Sequence, residues 1–160
     1  MARLSDLRLK HRAFLRAYPY RRIDWRPGAN LSKPLSAARI ALITTAGFHT
    51  PAQAPFDQSI RHNDCSFREI PFGTPVQTLQ VGQSSDAFDQ SGIQADRNLA
   101  LPLDRLRELA EAGMVGQPAP RHFSLMGSIV APARLISDTG PEIASRLQED
   151  AVDAVLLTPV

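Results

Sequence analysis

Apolar residues in this chain fall at helical spacing in some stretches and in short unbroken runs in others, and the alternation between the two sets the expected architecture. Leu4, Leu7, Phe14, Leu15 and Tyr18 fall at roughly helical spacing with basic residues between them, which predicts an amphipathic helix ending before Pro19. Pro27, Gly28, Asn30 and Pro34 give residues 23–34 the composition of a connector. Residues 39–45 read as a buried strand: short, apolar, β-branched at Ile40, Ile43, Thr44 and Thr45, and closed by Gly47. Residues 48–76 carry Pro51, Pro55, Pro71 and Pro75 without a clear period, and read as a long irregular segment of the kind that often carries function. Residues 78–81 predict a short strand.

Two helices follow. Leu103, Leu106, Leu109 and Ala110 share one face across residues 102–112, Asp104 lies in the first turn, and Gly113 is suited to the left-handed conformation after the last turn. Thr139-Gly140-Pro141-Glu142 has capping-box spacing with proline inside the first turn, and Ile143 and Leu147 continue it as an apolar stripe. Residues 153–158 form another buried-strand pattern. Strands alternating with helices predict an α/β fold with three layers and a mainly parallel, Rossmann- or flavodoxin-like sheet. The expected division is a basic helix and connector over residues 1–34 and the α/β domain over residues 35–160.

Composition adds limits rather than a function. Hydrophobic residues make up 43% and charged residues 21% of the 160, an ordinary globular balance. The apolar runs 41–43 and 154–157 fall far short of the roughly 20 residues a bilayer span needs, and the amino-terminal region lacks the apolar segment of a secretory signal. Cys65 is the only cysteine, so the chain can form no internal disulfide, and a reducing, cytoplasmic setting is expected. The net charge is only +2, yet Arg3, Arg8, Lys10, Arg12, Arg16, Arg21, Arg22 and Arg26 precede the core against Asp6 and Asp24. Such an arm is either a solvated helix face or a contact for an acidic partner; neither nucleic acid nor a membrane is the expected partner. His11, His49, His62 and His122 are scattered and no second thiol exists, so no metal site is expected, and no glycine-rich phosphate loop appears.

Three residues stand as candidates for binding substrate. His49 follows the first predicted strand through Gly47, the usual address of a site residue in a doubly wound sheet; the alternative is a histidine satisfied by backbone. Arg121 and His122 fall in a proline-flanked turn before a further strand. The guanidinium suits a bidentate grip on a carboxylate, and the imidazole suits proton delivery. Their structural reading is helix capping, or pairing with Asp104 or Glu108. Arg68 and Glu69 read as a local ion pair, and Cys65 as an inert small residue.

An ordered set of segments carries a family resemblance. It comprises Arg39-Ile40-Ala41-Leu42-Ile43-Thr44-Thr45-Ala46-Gly47 with His49, Pro55-Phe56-Asp57, and Asp64-Cys65-Ser66-Phe67-Arg68-Glu69-Ile70-Pro71. Leu101-Pro102-Leu103-Asp104-Arg105-Leu106-Arg107-Glu108-Leu109, Ala119 to Gly127 and Asp150 to Val160 complete it. Over residues 25–160 the chain resembles the selenoprotein B family of glycine, betaine, sarcosine and D-proline reductases, most of all the shorter D-proline reductase subunit. Residues 72–81 and 83–95 match poorly, and the basic arm lies outside the resemblance.

The resemblance implies an oxidoreductase subunit that reductively cleaves a carbon–nitrogen bond of a small amino acid or betaine, with dithiols as reductant. It implies a pyruvoyl group on a partner subunit to activate the substrate nitrogen, and a selenocysteine that attacks the α-carbon. In the family that residue directly follows the segment matching Leu157-Thr158-Pro159-Val160, with a cysteine three positions later. Selenocysteine is encoded by UGA, which ordinary translation reads as stop. The expectation is therefore a reading frame cut at that codon, a sheet incomplete at its carboxy terminus and no catalytic residue within the chain. A second reading is a non-catalytic α/β binding module that meets an acidic partner through the basic arm. A third, an isomerase-like enzyme, would want a second thiol.

Overall fold

The computed structural model describes residues 8–18, 28–60, 64–82 and 90–160, which fall into two units, residues 1–30 and residues 31–160. In the first unit, α1 (Leu9–Ala17) has no buried residue, and Phe14 stacks on Tyr18 with ring centroids 5.5 Å apart. The positions Arg3, Leu4, Leu7, Pro19, Arg21, Arg22, Arg26 and Pro27, and His62 further on, lie outside the described residues.

The second unit runs β1 (Arg39–Thr44), β2 (Phe48–His49), β3 (Phe67–Pro71), β4 (Gln80–Val81), α2 (Ser91–Ala95), α3 (Leu103–Glu111), β5 (Gln117–Pro118), β6 (Arg121–Leu125), α4 (Gly140–Glu149) and β7 (Ala154–Thr158). β1 is the centre of the main sheet. On one flank it pairs in parallel with β7, Ile40 opposite Ala154 through Thr44 opposite Thr158. On the other flank it pairs in parallel with β5 at Arg39–Ile40 and with β6 at Ile43–Thr44. β3 adds to the far side of β6 in antiparallel sense, and β2 and β4 form a separate antiparallel pair.

β5 and β6 occupy one lane, broken where proline removes a donor. Ala119 N–H still reaches Ile40 O at 2.8 Å, but the carbonyl of Pro120 turns outward to accept from Phe72 N–H at 2.9 Å. Counted by lane, the parallel strands stand in the order second, first, third, the start of a flavodoxin-type sheet.

Alternate residues of β1 serve the two faces of the sheet. Ile40 and Leu42 join the larger core with Leu103 and Leu106 of α3, whereas Ile43 packs with Phe123, Leu125 and α4's Ile143 and Leu147. That gives the α/β, three-layer arrangement with a mainly parallel sheet. α3 begins with Asn98 Oδ1 accepting from Asp104 N–H at 3.0 Å and ends with Gly113 at φ +69°, the left-handed turn its sequence implies.

Several local expectations fail for identifiable reasons. Thr139 is no N-cap: it continues a π-type turn over Leu135–Thr139 in helical conformation, and its hydroxyl donates to Cys65 O at 2.7 Å. Glu142 pairs with Arg146 instead of reaching back. Residues 48–76 are not wholly irregular, because β3 lies in them; at the sheet edge its alternation is only partial. β7 has a buried-strand sequence, yet Val155, Leu156 and Leu157 are 37%, 49% and 66% exposed, β7 being an edge strand that pairs, among the described residues, with β1 alone.

Candidate functional site

The order of the strands picks out one place. The chain leaves β1 through α3 to reach the β6 lane, then returns past β1 through α4 to reach β7. The connections therefore diverge between β1 and β7, and the carboxyl ends of those two strands are the place where open α/β sheets take their ligands.

Threonines build this spot. Thr44 Oγ1 lies 3.3 Å from Thr158 O and accepts from Ala46 N–H at 3.2 Å. The Thr158 hydroxyl sits 2.6 Å from Ala100 O and 3.2 Å from Ile43 O. Thr45 N–H donates to Thr158 O at 3.3 Å, which is the last regular rung between β1 and β7. The next rung is taken over by a side chain: Val160 N–H donates to Thr45 Oγ1 at 2.8 Å, and the same hydroxyl lies 3.3 Å from Val160 O. β-branched threonine suits both the strand and the hydroxyl's task. Val160 itself packs against the larger core, and Gly47 at φ +68° turns the chain out of the site while its N–H donates to Leu125 O at 2.8 Å.

The three candidates from sequence lie apart. His49 is buried in β2, on the connection leaving the carboxyl end of β1, with Nδ1 3.0 Å from Thr50 O. Arg121 and His122 are not in a turn but are the first residues of β6. Arg121 thus stands at the amino end of β6, four residues and about 13 Å along the strand from its carboxyl end. Its guanidinium is held by Asp150 at 2.6 Å, Glu149 at 2.9 Å and Glu69 at 3.3 Å, not by Asp104 or Glu108. The Asp150 carboxylate, with smaller help from Glu149 and Glu69, pushes its protonation further up from the ordinary arginine range.

His122 is fully buried. Its Nδ1 accepts from Leu42 N–H at 3.0 Å, filling the rung that the break between β5 and β6 leaves open. That bond makes Nε2 the protonated nitrogen, and neither Nε2 nor the buried Ser124 Oγ two residues on has a partner among the described residues. Burial, and then the Arg107 charge, push the His122 pKa down to about 4, so the ring is neutral at pH 7. Arg68 and Glu69 do not pair with each other. As neighbours on a strand they diverge: Arg68 lies over the Phe56 ring and binds the carbonyls of Ala54 and Pro55, while Glu69 meets Arg121 and Arg146.

A cleft of about 560 Å³ opens at the same end of the sheet, since antiparallel β3 begins opposite Leu125. Half-exposed Cys65, Asp64 and Phe67 form one wall, and Arg134, Asp138 and Thr139 form the other. The Thr139–Cys65 bond joins the two walls, a role hidden in the sequence because Thr139 reads as a cap. The signal for the threonine site was legible in retrospect: Thr44-Thr45 and Thr158 each close an apolar run. Among the described residues no helix is long and apolar enough to cross a membrane, and no group of His, Cys, Asp and Glu is placed to hold a metal ion.

Residues 5–160 match the family described as glycine/sarcosine/betaine reductase selenoprotein B. D-proline reductase subunit gamma of Acetoanaerobium sticklandii is 37% identical over 134 residues, 84% of this chain and 52% of that protein. Glycine reductase complex component B subunit gamma of Symbiobacterium thermophilum is 29% identical over 156 residues, 94% of this chain and 35% of that protein. Sarcosine reductase complex component B subunit beta of Peptoclostridium acidaminophilum is 27% identical over 158 residues, 94% and 34% of the two chains. The chain thus spans about half the length of the first of these relatives and about a third of the other two. No solved structure matches.

Proposed function

Because the chain belongs to the glycine/sarcosine/betaine reductase selenoprotein B family, we propose that it is part of a reductase-complex subunit that cleaves a carbon–nitrogen bond of a small amino acid or betaine at the expense of dithiols. The redox residue in this reading is a selenocysteine directly following Val160, and a partner subunit carries the pyruvoyl group. The setting is the reducing cytoplasm.

One observation carries the reading. Val160 follows β7 at the carboxyl ends of β1 and β7, with its N–H bound to the Thr45 hydroxyl at 2.8 Å. A residue joined to Val160 therefore starts from the position in the fold where a doubly wound sheet does its chemistry. A selenol at that point supplies a nucleophile more fully ionised near neutral pH than a thiol, because the anion is the reactive form and a lower pKa yields more of it. The residues of this chain supply the frame. Thr44, Thr45 and Thr158 fix the strand ends, and Val160 packs against the larger core.

Arg121, His122 and His49, the substrate-binding candidates, differ in what they offer such a reaction. Arg121 is already surrounded by carboxylates at the far end of β6, and His122 is neutral and closed off from solvent. His49 remains the one of the three on a connection that leaves the carboxyl end of β1, and we assign any substrate contact among them to it.

The test is the nucleotide sequence after the Val160 codon. An in-frame UGA, two sense codons, a cysteine codon and an open frame are expected; several stop codons there in every frame would overturn the reading. The extended polypeptide, assembled with its partner, should show dithiol-dependent reduction of one of glycine, sarcosine, betaine or D-proline. Protein ending at Val160 should show none.

A further inference from the structure

We infer that Thr45 is the positioning residue for the redox centre: its hydroxyl replaces the last main-chain rung between β1 and β7 and so fixes where the residue after Val160 leaves the sheet. This inference rests on the proposed reductase reading, and it assigns to Thr45 a role that the family match does not.

The geometry is specific. Up to Thr158 the two strands are joined by main-chain bonds, ending with Thr45 N–H to Thr158 O at 3.3 Å. In a parallel ladder the next donor, two residues on, would go to the carbonyl of the same partner residue. Pro159 intervenes without a donor of its own, and Val160 N–H goes to Thr45 Oγ1 at 2.8 Å. The hydroxyl lies 3.3 Å from Val160 O as well, so one side-chain oxygen is within reach of both polar groups of Val160. A hydroxyl can accept from one and donate to the other at once.

The anchor itself is well held. The Thr45 backbone is tied to Thr158, while Thr44 on one side and Thr158 opposite close the neighbouring strand ends. Val160 is packed against the core that includes Phe48 and Leu101. A peptide that continues from Val160 therefore starts from a fixed point at the switch in strand order. Reaction rates depend steeply on such placement, and a displacement of 1 Å can cost about 10²-fold.

The experiment uses Thr45→Val, which keeps the β-branched shape and removes the hydroxyl, and Thr45→Ser, which keeps the hydroxyl. In the 160-residue protein, hydrogen exchange at the Val160 amide should be slow, should speed up by about two- to tenfold in T45V, and should return towards the parent rate in T45S. In the extended, assembled enzyme, T45V should lower kcat by roughly tenfold to 10²-fold with KM little changed, and T45S should recover most of it. A Val160 amide that exchanges equally fast in all three proteins overturns the inference. So does an active complex in which T45V turns over like the parent, and that outcome leaves the reductase reading intact. A parent complex without any reductase activity removes the reading itself and the positioning role with it.

Discussion

The Nδ1 atom of His122 accepts a hydrogen bond from the backbone N–H of Leu42 at 3.0 Å, so a side chain stands in for the strand that proline interrupts. His122→Ala removes the acceptor, leaves a buried donor unpaired and opens a cavity in the core. The expected cost is about 3 kcal/mol, read as a lower urea midpoint at pH 7 with an unchanged slope.

The same ring makes stability depend on pH. Its folded pKa of about 4 lies below the ordinary 6.5, because burial and then Arg107 disfavour the charged form. The unfolded chain therefore binds the proton first as pH falls. The contribution is whole above about pH 6.5 and is lost between there and pH 4, by at most about 1.4 kcal/mol per pH unit. Urea titrations at pH 7, 6 and 5 should show this slope in the parent. The difference between the parent and His122→Gln should shrink as pH falls.

Arg121 is a structural clamp on the end of α4, bound to Asp150 at 2.6 Å and to Glu149 and Glu69. Arg121→Lys keeps the charge but cannot hold three carboxylates in one plane. A loss of about 1 kcal/mol is expected, modest because the site is partly open to solvent, and smaller still in high salt. Denaturation at two ionic strengths measures it.

Gly116 admits no side chain. A Cβ built there would sit 2.6 Å from Ala37 C and 2.7 Å from Ala38 N and O, all of them backbone atoms that lead into β1. Gly116→Ala should cost about 2–3 kcal/mol and lower the thermal midpoint, with the loss visible by calorimetry.

Leu157 presents 66% of its surface to solvent on the edge of the sheet. Leu157→Glu should leave stability within about 0.5 kcal/mol of the parent. It should also reduce binding of an apolar dye and any concentration-dependent association seen by sedimentation, because an exposed apolar edge favours both.

The sequence carried the elements that face a core. The short apolar run with β-branched Ile40, Ile43 and Thr44 announced β1, and Leu103 and Leu106 with Gly113 announced α3. β3 was hidden because an edge strand buries only part of its surface, and its charged residues Arg68 and Glu69 are spent on contacts with other segments. Thr139 misled because a hydroxyl three residues before a glutamate has the spacing of a cap whatever it binds. The switch point was legible as an address, the carboxyl end of the first strand, but the residues that meet there were not. Thr45 meets Val160 across 115 positions of sequence, and no local pattern records such a partnership.

That same separation governs when the Thr45–Val160 contact can form during synthesis. β1 emerges from the ribosome early and gains its β6 flank once Arg121–Leu125 has followed, whereas its other flank waits for Ala154–Thr158. Until then β1 carries a row of open backbone groups on an apolar strand, an edge prone to recruiting the wrong partner. Closing it joins residues more than a hundred positions apart, which makes it the slow, non-local step of folding. The corner where Thr45 meets Val160 thus forms after the other described strands have been made, and until then the rest of the described core is able to form around an unfinished centre.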